Sequence, residues 1–118
     1  MMTPLRVMIV EDDAMIAMVL AEILEEMGHD VCSIAVSETE AVAEALRLRP
    51  ELIIADLRLR RGSGVAVIDR ICPTAHIFIS GDVAGIRAFR PNAVTLQKPF
   101  REPDLITAID NALSAVDH

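Results

Sequence analysis

Hydrophobic residues in this chain form short continuous runs that alternate with longer segments of helical periodicity. Five runs are apolar or nearly so, which is the pattern of parallel strands covered by helices on both faces. We predict these strands at residues 5–10, 30–35, 52–55, 76–79 and 93–96. Strands that alternate with helices predict an α/β fold with a parallel sheet and right-handed crossovers, in a single domain over residues 1–118.

The segments between and after the strands predict five helices. We place them at residues 14–27, 38–48, 65–71, 83–89 and 103–116. Ser37 is predicted to cap the second helix, with Glu40 completing a capping box. The fourth segment is a poor helix former because Gly85 lies inside it and Pro91 follows it, so we expect a short or irregular helix there.

The first predicted helix has apolar residues on both of its faces. The residues expected to face the core at helical spacing are Ile16, Leu20, Ile23 and Met27. The outward face is expected to carry Ala14, Met18 and Ala21. An exposed methionine between small residues is typical of a contact surface, although a neutral surface would have the same pattern.

Composition and charge narrow the class of protein. With 118 residues, 53% of them hydrophobic, the chain is large enough for one domain with a single core. No apolar run approaches the roughly 20 residues that span a bilayer, and residues 1–4 lack a signal-peptide pattern, so we expect a cytoplasmic protein without membrane contact. The net charge of −7 argues against nucleic-acid binding through a basic face.

Polar residues follow four of the five predicted strands. Glu11 and Asp12 follow the first strand, Asp56 the third, Ser80 the fourth and Lys98 the fifth. Because the carboxyl ends of parallel strands meet at one edge of a sheet, these side chains are expected to converge. Three carboxylates form a hard oxygen site suited to Mg²⁺. A lysine and a hydroxyl beside them would neutralise a phosphoryl group in transfer to Asp56.

Simpler readings of the same residues stay open at this point. Asp13 is explained as the N-cap of the first helix, and the acid pair before it would also occur in a solvated turn. Lys98 is the one lysine among 11 basic residues, which favours a need for a compact point charge there. A nucleotide composition that depletes lysine codons would produce the same imbalance.

Taken together, these motifs resemble the response-regulator receiver family, the phosphoacceptor domains of two-component signalling, over essentially the whole chain. The residues that carry the resemblance are, in chain order, Glu11, Asp12, Asp56, Gly64, Ser80, Lys98, Pro99 and Phe100. Gly64 follows Asp56 by eight residues, as in the D-x-x-M-P-x-x-x-G pattern of the family. The resemblance implies a flavodoxin-like, doubly wound fold with strand order 2-1-3-4-5.

The resemblance also implies a role for each of the matching residues. Asp12 and Asp56 would bind Mg²⁺ directly, Glu11 through water, and the backbone carbonyl of Arg58 would be a further ligand. Asp56 would attack a phosphohistidine and become an acyl phosphate. Lys98 would pair with the phosphate, Ser80 would hydrogen-bond it, and the Lys98–Pro99 bond would be cis.

Several positions depart from the family pattern. Leu59 and Arg60 stand where the pattern has Met and Pro, which makes the loop after Asp56 more basic. Thr95 occupies the position of an aromatic switch residue, and the segment from Ser80 to Lys98 is about one helical turn shorter than usual. The two positions that tune the lifetime of the acyl phosphate in this family are occupied by Arg58 and Asp82.

The expected function is that of a stand-alone receiver that catalyses its own phosphotransfer and slow dephosphorylation and is not otherwise an enzyme. Its donor would be a sensor histidine kinase or a histidine phosphotransfer protein, and its output partner an unknown protein, since the chain ends at His118 directly after the last helix. The alternatives are a receiver excised from a hybrid kinase and a receiver-like module that binds or dimerises without phosphorylation. An aspartyl phosphatase is disfavoured because Arg58 occupies the position of its second Asp.

Overall fold

The structure is a computed structural model that describes residues 3–71 and 74–116. Its strands are β1 (Arg6–Val10), β2 (Asp30–Ala35), β3 (Leu52–Asp56), β4 (Ala75–Ser80) and β5 (Thr95–Gln97). All four pairings between them are parallel, and they form one sheet in the order β2-β1-β3-β4-β5. The predicted parallel sheet and its strand order are therefore confirmed. Only β5 differs by as much as two residues at its start from the predicted strand.

The helices follow the strands in strict alternation. They are α1 (Ala14–Glu26), α2 (Glu38–Leu48), α3 (Gly64–Ile71), α4 (Ala84–Phe89) and α5 (Glu102–Val116). The hydroxyl of Ser37 accepts a hydrogen bond from the backbone N–H of Glu40 at 3.2 Å, so the predicted cap of α2 is confirmed. Helix α4 has only six residues, which confirms the expected short fourth helix.

The sheet is buried on both of its faces. Side chains of one face, such as Ile9 and Ile54, pack with α1 and α5, and those of the other face, such as Val10 and Ile53, pack with α2 and α3. Successive residues of a strand point to opposite faces, so a continuous apolar run supplies both cores. The carboxyl ends of the parallel strands all lie at the same edge of the sheet, between the two layers of helices.

One sequence expectation about α1 is wrong. Ala21 belongs to the buried core and does not lie on the outward face. The buried residues of the helix are Ala17, Leu20, Ala21 and Leu24, whereas Ile16, Ile23 and Met27 are only half-buried. These four positions follow helical spacing, so the buried stripe is the predicted one rotated about the helix axis until Ala17 and Ala21 join Leu20 and Leu24. Ala14 and Met18 are exposed as predicted, and Met15 and Val19 are exposed beside them.

His29, between α1 and β2, is a buried imidazole at the opposite edge of the sheet from the acidic residues. Its Nδ1 accepts a hydrogen bond from the N–H of Leu5 at 3.0 Å, and its Nε2 has no hydrogen-bond partner among residues 3–71 and 74–116. Burial lowers the pKa of His29 below its usual value. The ring is therefore held in its neutral form, because a protonated Nδ1 could not accept the Leu5 N–H.

This arrangement predicts that acid destabilises the fold through His29. The unfolded histidine takes up a proton below about pH 6.5, whereas the lowered pKa of the folded one means that it does so only at lower pH. The free energy of unfolding therefore falls as the pH decreases below about 6.5. The slope contributed by one proton is at most about 1.4 kcal/mol per pH unit. Urea unfolding of the wild type and of His29→Gln should show a flatter pH dependence for the variant; equal slopes would exclude His29 as the cause.

Candidate functional site

The residues predicted to converge do so at the carboxyl edge of the sheet. Asp56 is the last residue of β3, which lies at the centre of the sheet between β1 and β4. Glu11 and Asp12 follow β1, Ser80 ends β4, and Lys98 directly follows β5. Parallel pairing brings these strand ends side by side, so residues 87 positions apart come into hydrogen-bond contact. The convergence expected from the sequence is confirmed.

Lys98 bridges two of the buried carboxylates. Its Nζ lies 2.7 Å from Asp56 Oδ2 and 2.9 Å from Glu11 Oε1. Glu11 is 1% exposed and Asp56 is 7% exposed, so these charges have little access to water. Buried charges of one sign are stable only with a compensating partner. The single lysine of the chain thus compensates both acids.

The proton equilibria of the bridge follow from this geometry. Burial raises the pKa of Glu11, and the hydrogen bonds from Lys98 and from the Asp13 N–H offset only part of that effect. Burial by itself lowers the pKa of Lys98, but its hydrogen bonds to Asp56 and Glu11 outweigh burial and the net shift is upward. The ammonium group therefore stays charged at neutral pH and is held in place by two acceptors.

The three carboxylates form a cluster with the chemistry of a hard cation site. One carboxylate oxygen from each of Glu11, Asp12 and Asp56 lies within 4.8 Å of the other two. Mg²⁺ prefers carboxylate oxygens and retains water or phosphate oxygens at its other positions. The donor set fits a magnesium ion in this respect. The sequence had predicted this grouping from the three strand ends.

Asp12 has a contact that sequence reasoning missed. Its Oδ2 accepts a hydrogen bond from the backbone N–H of Arg60 at 2.6 Å, and the Arg60 Nε lies 3.9 Å from the same oxygen. The bond from the Arg60 N–H is the main reason that the pKa of Asp12 is lowered. Asp56 is held in a similar way, since its Oδ1 accepts the N–H of Arg58 at 3.0 Å.

Gly64 is required by close contact between α3 and the acidic residue. A Cβ atom at position 64 would overlap the backbone carbonyl oxygen of Asp56 and lie 3.1 Å from the Cβ of Ala55. Helix α3 therefore starts directly against the end of β3, and only a glycine fits there. The eight-residue spacing between Asp56 and Gly64 therefore corresponds to the loop that connects the end of β3 to the start of α3.

Ser80 and its neighbours form the other wall of the site. The Ser80 hydroxyl is buried and accepts a hydrogen bond from the N–H of Asp82 at 3.1 Å. The carbonyl of Ser80 accepts the N–H of Lys98 at 2.8 Å, which joins the backbone at the end of β4 to the residue after β5. The Lys98–Pro99 bond is cis, as the resemblance implied. Arg58 and Asp82 are both exposed, and their N–H groups place them at the rim of the site, beside Asp56 and Ser80 respectively.

Thr95, the residue at the aromatic switch position, has a polar partner that the sequence did not indicate. Arg87 donates from Nη2 to the Thr95 hydroxyl at 2.8 Å, and Arg90 at the end of α4 pairs with both oxygens of Asp69 on α3 at 2.7 Å. Helix α4 is thereby tied to β5 and to α3 by two arginines.

Comparison with known proteins finds that this chain is similar to several regulators. The transcriptional regulatory protein PdtaR of Mycobacterium tuberculosis is 38% identical over 119 residues, an alignment that covers 94% of this chain and 58% of that protein. The phyllosphere-induced regulator PhyR of Methylorubrum extorquens is 34% identical over 91% of this chain and 43% of that protein. This chain thus spans about half the length of these two relatives.

The fold of this chain is also similar to that of a solved structure over nearly the whole of both chains. The signal receiver domain of a modulated diguanylate cyclase from Desulfovibrio desulfuricans superposes with a TM-score of 0.85 and 33% identity, covering 98% of both chains. The fold and the acidic edge thus define a flavodoxin-like signalling domain. The family model of the response regulator receiver domain matches residues 7–110, and the chain belongs to this family. None of the helices in residues 3–71 and 74–116 could span a lipid bilayer.

Proposed function

We propose that this receiver accepts a phosphoryl group on Asp56 from a phosphohistidine, in a reaction that requires Mg²⁺. The observation that carries the proposal is the bridge from Lys98 Nζ to Asp56 Oδ2 at 2.7 Å, inside a cluster of three carboxylates. A carboxylate at the end of a central strand, beside a fixed ammonium and a cation site, is suited to nucleophilic attack on phosphorus. The reaction takes place in the cytoplasm.

Each residue of the site has a role in this reaction. Asp12 and Asp56 would bind Mg²⁺ directly, Glu11 through water, and the Arg58 carbonyl would be a further ligand. When bound, the ion neutralises negative charge on the phosphoryl oxygens. Asp56 attacks the phosphorus, the phosphorus–nitrogen bond to the donor histidine breaks, and Lys98 moves its contact from the carboxylate to the new phosphoryl group.

Three further residues act after phosphorylation. The Ser80 hydroxyl, next to Lys98, turns to donate a hydrogen bond to the phosphoryl group and gives up its contact with the Asp82 N–H. Arg58 and Asp82 at the rim control access of water to the acyl phosphate and so tune its lifetime. Thr95 replaces the usual aromatic switch, and its bond to Arg87 links the phosphorylated edge to α4.

The phosphoryl donor is proposed to dock on the exposed apolar face of α1. Met15, Met18 and Val19 are 73%, 59% and 47% exposed there. A groove of about 370 Å³ lies beside Met18, and its lining consists of Met15, Ile16, Val19, Lys98, Pro99 and Phe100. An exposed apolar face of this kind next to a reactive centre is typical of a protein-binding surface. A sensor histidine kinase or a histidine phosphotransfer protein fits this position.

A charge on this surface should impair docking without impairing the chemistry. We expect Met18→Glu to slow phosphotransfer from the cognate donor by about tenfold, the loss typical of an interface residue worth 1–2 kcal/mol. Labelling by acetyl phosphate, which needs no protein docking, should be unchanged. Leu46→Glu, at an equally exposed leucine on α2, is the matched control. Normal transfer to Met18→Glu would exclude this face as the docking surface.

Beryllofluoride, a mimic of the phosphoryl group, provides the test of the site. Isothermal titration calorimetry should show binding to the wild-type chain with Mg²⁺ and none without it. Asp56→Asn should abolish binding, because the amide cannot supply the anionic oxygen that beryllium requires. An unresponsive wild type, or a fully responsive Asp56→Asn, would overturn the proposal in favour of a receiver-like module that works without phosphorylation.

A further inference from the structure

Arg60 contacts the acidic cluster through two groups, its backbone N–H and its guanidinium. Its N–H donates to Asp12 Oδ2 at 2.6 Å, across 48 positions of the chain. Its guanidinium Nε lies 3.9 Å from the same oxygen, although the side chain is 86% exposed. Proline, the residue that the family pattern has at this position, lacks an N–H and could not make the first of these contacts. The hydrogen bond is thus specific to a chain with a non-proline residue at position 60.

The loop that carries Arg60 is anchored on both sides of this residue. Before it, Leu59 is buried in the core against α2 and α3, and its N–H bonds the carbonyl of Gly62 at 3.2 Å. After it, the carbonyl of Arg61 accepts the N–H of Glu38 at 3.0 Å, and the N–H of Ser63 donates to Glu38 Oε1 at 3.2 Å. The position of the Arg60 N–H is therefore fixed by the fold.

These contacts give every carboxylate of the cluster a positive partner from the protein itself. Lys98 forms ion pairs with Glu11 and Asp56, and Arg60 forms one with Asp12. A carboxylate that already accepts a strong hydrogen bond and faces a guanidinium gains less from a metal ion than a carboxylate exposed to water. Binding of a cation to Asp12 must therefore be weaker than three uncompensated acids would make it.

We infer that Arg60 sets the magnesium affinity of the site by competing with the ion for Asp12. The inference rests on the proposed function, in which Mg²⁺ is the cofactor held by this cluster. Two parts of Arg60 contribute to different degrees. The exposed guanidinium contributes a weak, salt-screened repulsion of the cation, and the backbone N–H contributes a stronger, short-range competition for the Asp12 oxygen. Residue 60 thus tunes how much free Mg²⁺ the receiver needs before it can be phosphorylated.

The two contributions can be separated by titrating the full chain with Mg²⁺ alone in a calorimeter. Arg60→Ala removes the guanidinium and keeps the N–H, so Mg²⁺ should bind about twofold to threefold more tightly. Arg60→Pro removes both, and binding should tighten by about tenfold, the factor for one hydrogen bond to a charged group. Arg61→Ala is the control with the same change in net charge, because the Arg61 side chain has no hydrogen bond or ion pair among residues 3–71 and 74–116. Its effect should be smaller than that of Arg60→Ala.

A second measurement does not depend on the folding of the proline variant. In the ¹⁵N-labelled wild type, the amide signal of Arg60 should shift upfield on saturation with Mg²⁺, since the short bond to Asp12 is weakened. Arg60 variants that bind Mg²⁺ as the wild type does, or more weakly, would overturn the inference, and so would an Arg60 amide unaffected by Mg²⁺. A wild type that binds no Mg²⁺ would instead remove the metal from the proposed function itself.

Discussion

Replacing Lys98 with methionine is expected to destabilise the metal-free protein by about 2–4 kcal/mol, since the variant leaves two buried carboxylates without a counter-ion. Glu11 and Asp56 share the Lys98 ammonium, and among the described residues no other cationic side chain contacts either of them. The same change should abolish or strongly reduce labelling of the chain by acetyl phosphate. Urea unfolding and labelling of the variant, each compared with the wild type, measure the two effects.

The pH dependence of this variant identifies the cause of its instability. Because burial already raises the pKa of Glu11, loss of Lys98 raises it further, and protonation then relieves the repulsion. The destabilisation should therefore be smaller near about pH 5.5 than near about pH 7.5. Mg²⁺ should restore more stability to Lys98→Met than to the wild type. An equal loss of stability of Lys98→Met at both pH values would contradict the proposed role of charge.

Lys98→Arg keeps the charge. Its stability should be closer to that of the wild type than its labelling by acetyl phosphate, because the planar guanidinium does not fit the space of an ammonium.

Substitution of Gly64 by alanine adds one methyl group, and we expect it to destabilise the fold more than any other added methyl group near the site. The new Cβ overlaps the Asp56 carbonyl oxygen, which belongs to the backbone and cannot move without displacing β3 or α3. Overpacking of this kind costs about 2–3 kcal/mol. Relief of the clash would also shift the loop that surrounds Asp56, so the affinity for Mg²⁺ should fall together with stability. Chemical denaturation and a magnesium titration measure the two losses.

Gly85→Ala is the control for this prediction. Gly85 lies in α4, and a Cβ atom there would meet nothing within 4 Å. Alanine is the better helix former, so this variant should be more stable than the wild type by about 0.5–1 kcal/mol. A Gly64→Ala protein as stable as the wild type would show that α3 can move away from β3 without cost.

The sequence predicted the site well because the site depends on where strands end. In a parallel sheet the residue that follows each strand is placed by the strand itself, so Asp56, Ser80 and Lys98 could be brought together from the pattern of apolar runs alone. Gly64 was found through its spacing from Asp56, and its physical reason came only with the packing of α3 against β3. The short α4 was predictable from Gly85 and Pro91.

Other features could not be predicted because they depend on loop conformation or on the approach of helices. The contact of Arg60 with Asp12 is made by a backbone N–H, which every residue except proline has, so no residue type identifies it. The assignment of Ala21 to the core depends on how α1 is rotated about its axis, and alanine is compatible with either face. The pairing of Arg87 with Thr95 needs the exact end of a six-residue helix, and helix ends are the least predictable part of a sequence pattern.

Mass spectrometry of the chain after incubation with acetyl phosphate and Mg²⁺ decides whether Asp56 is the phosphoacceptor, as we claim. The proposed mechanism predicts one added phosphoryl group per chain, located on the peptide that contains Asp56. The group should be absent from Asp56→Asn and from samples without Mg²⁺. An unmodified wild-type chain, or a phosphoryl group found on any other residue, would contradict the claim.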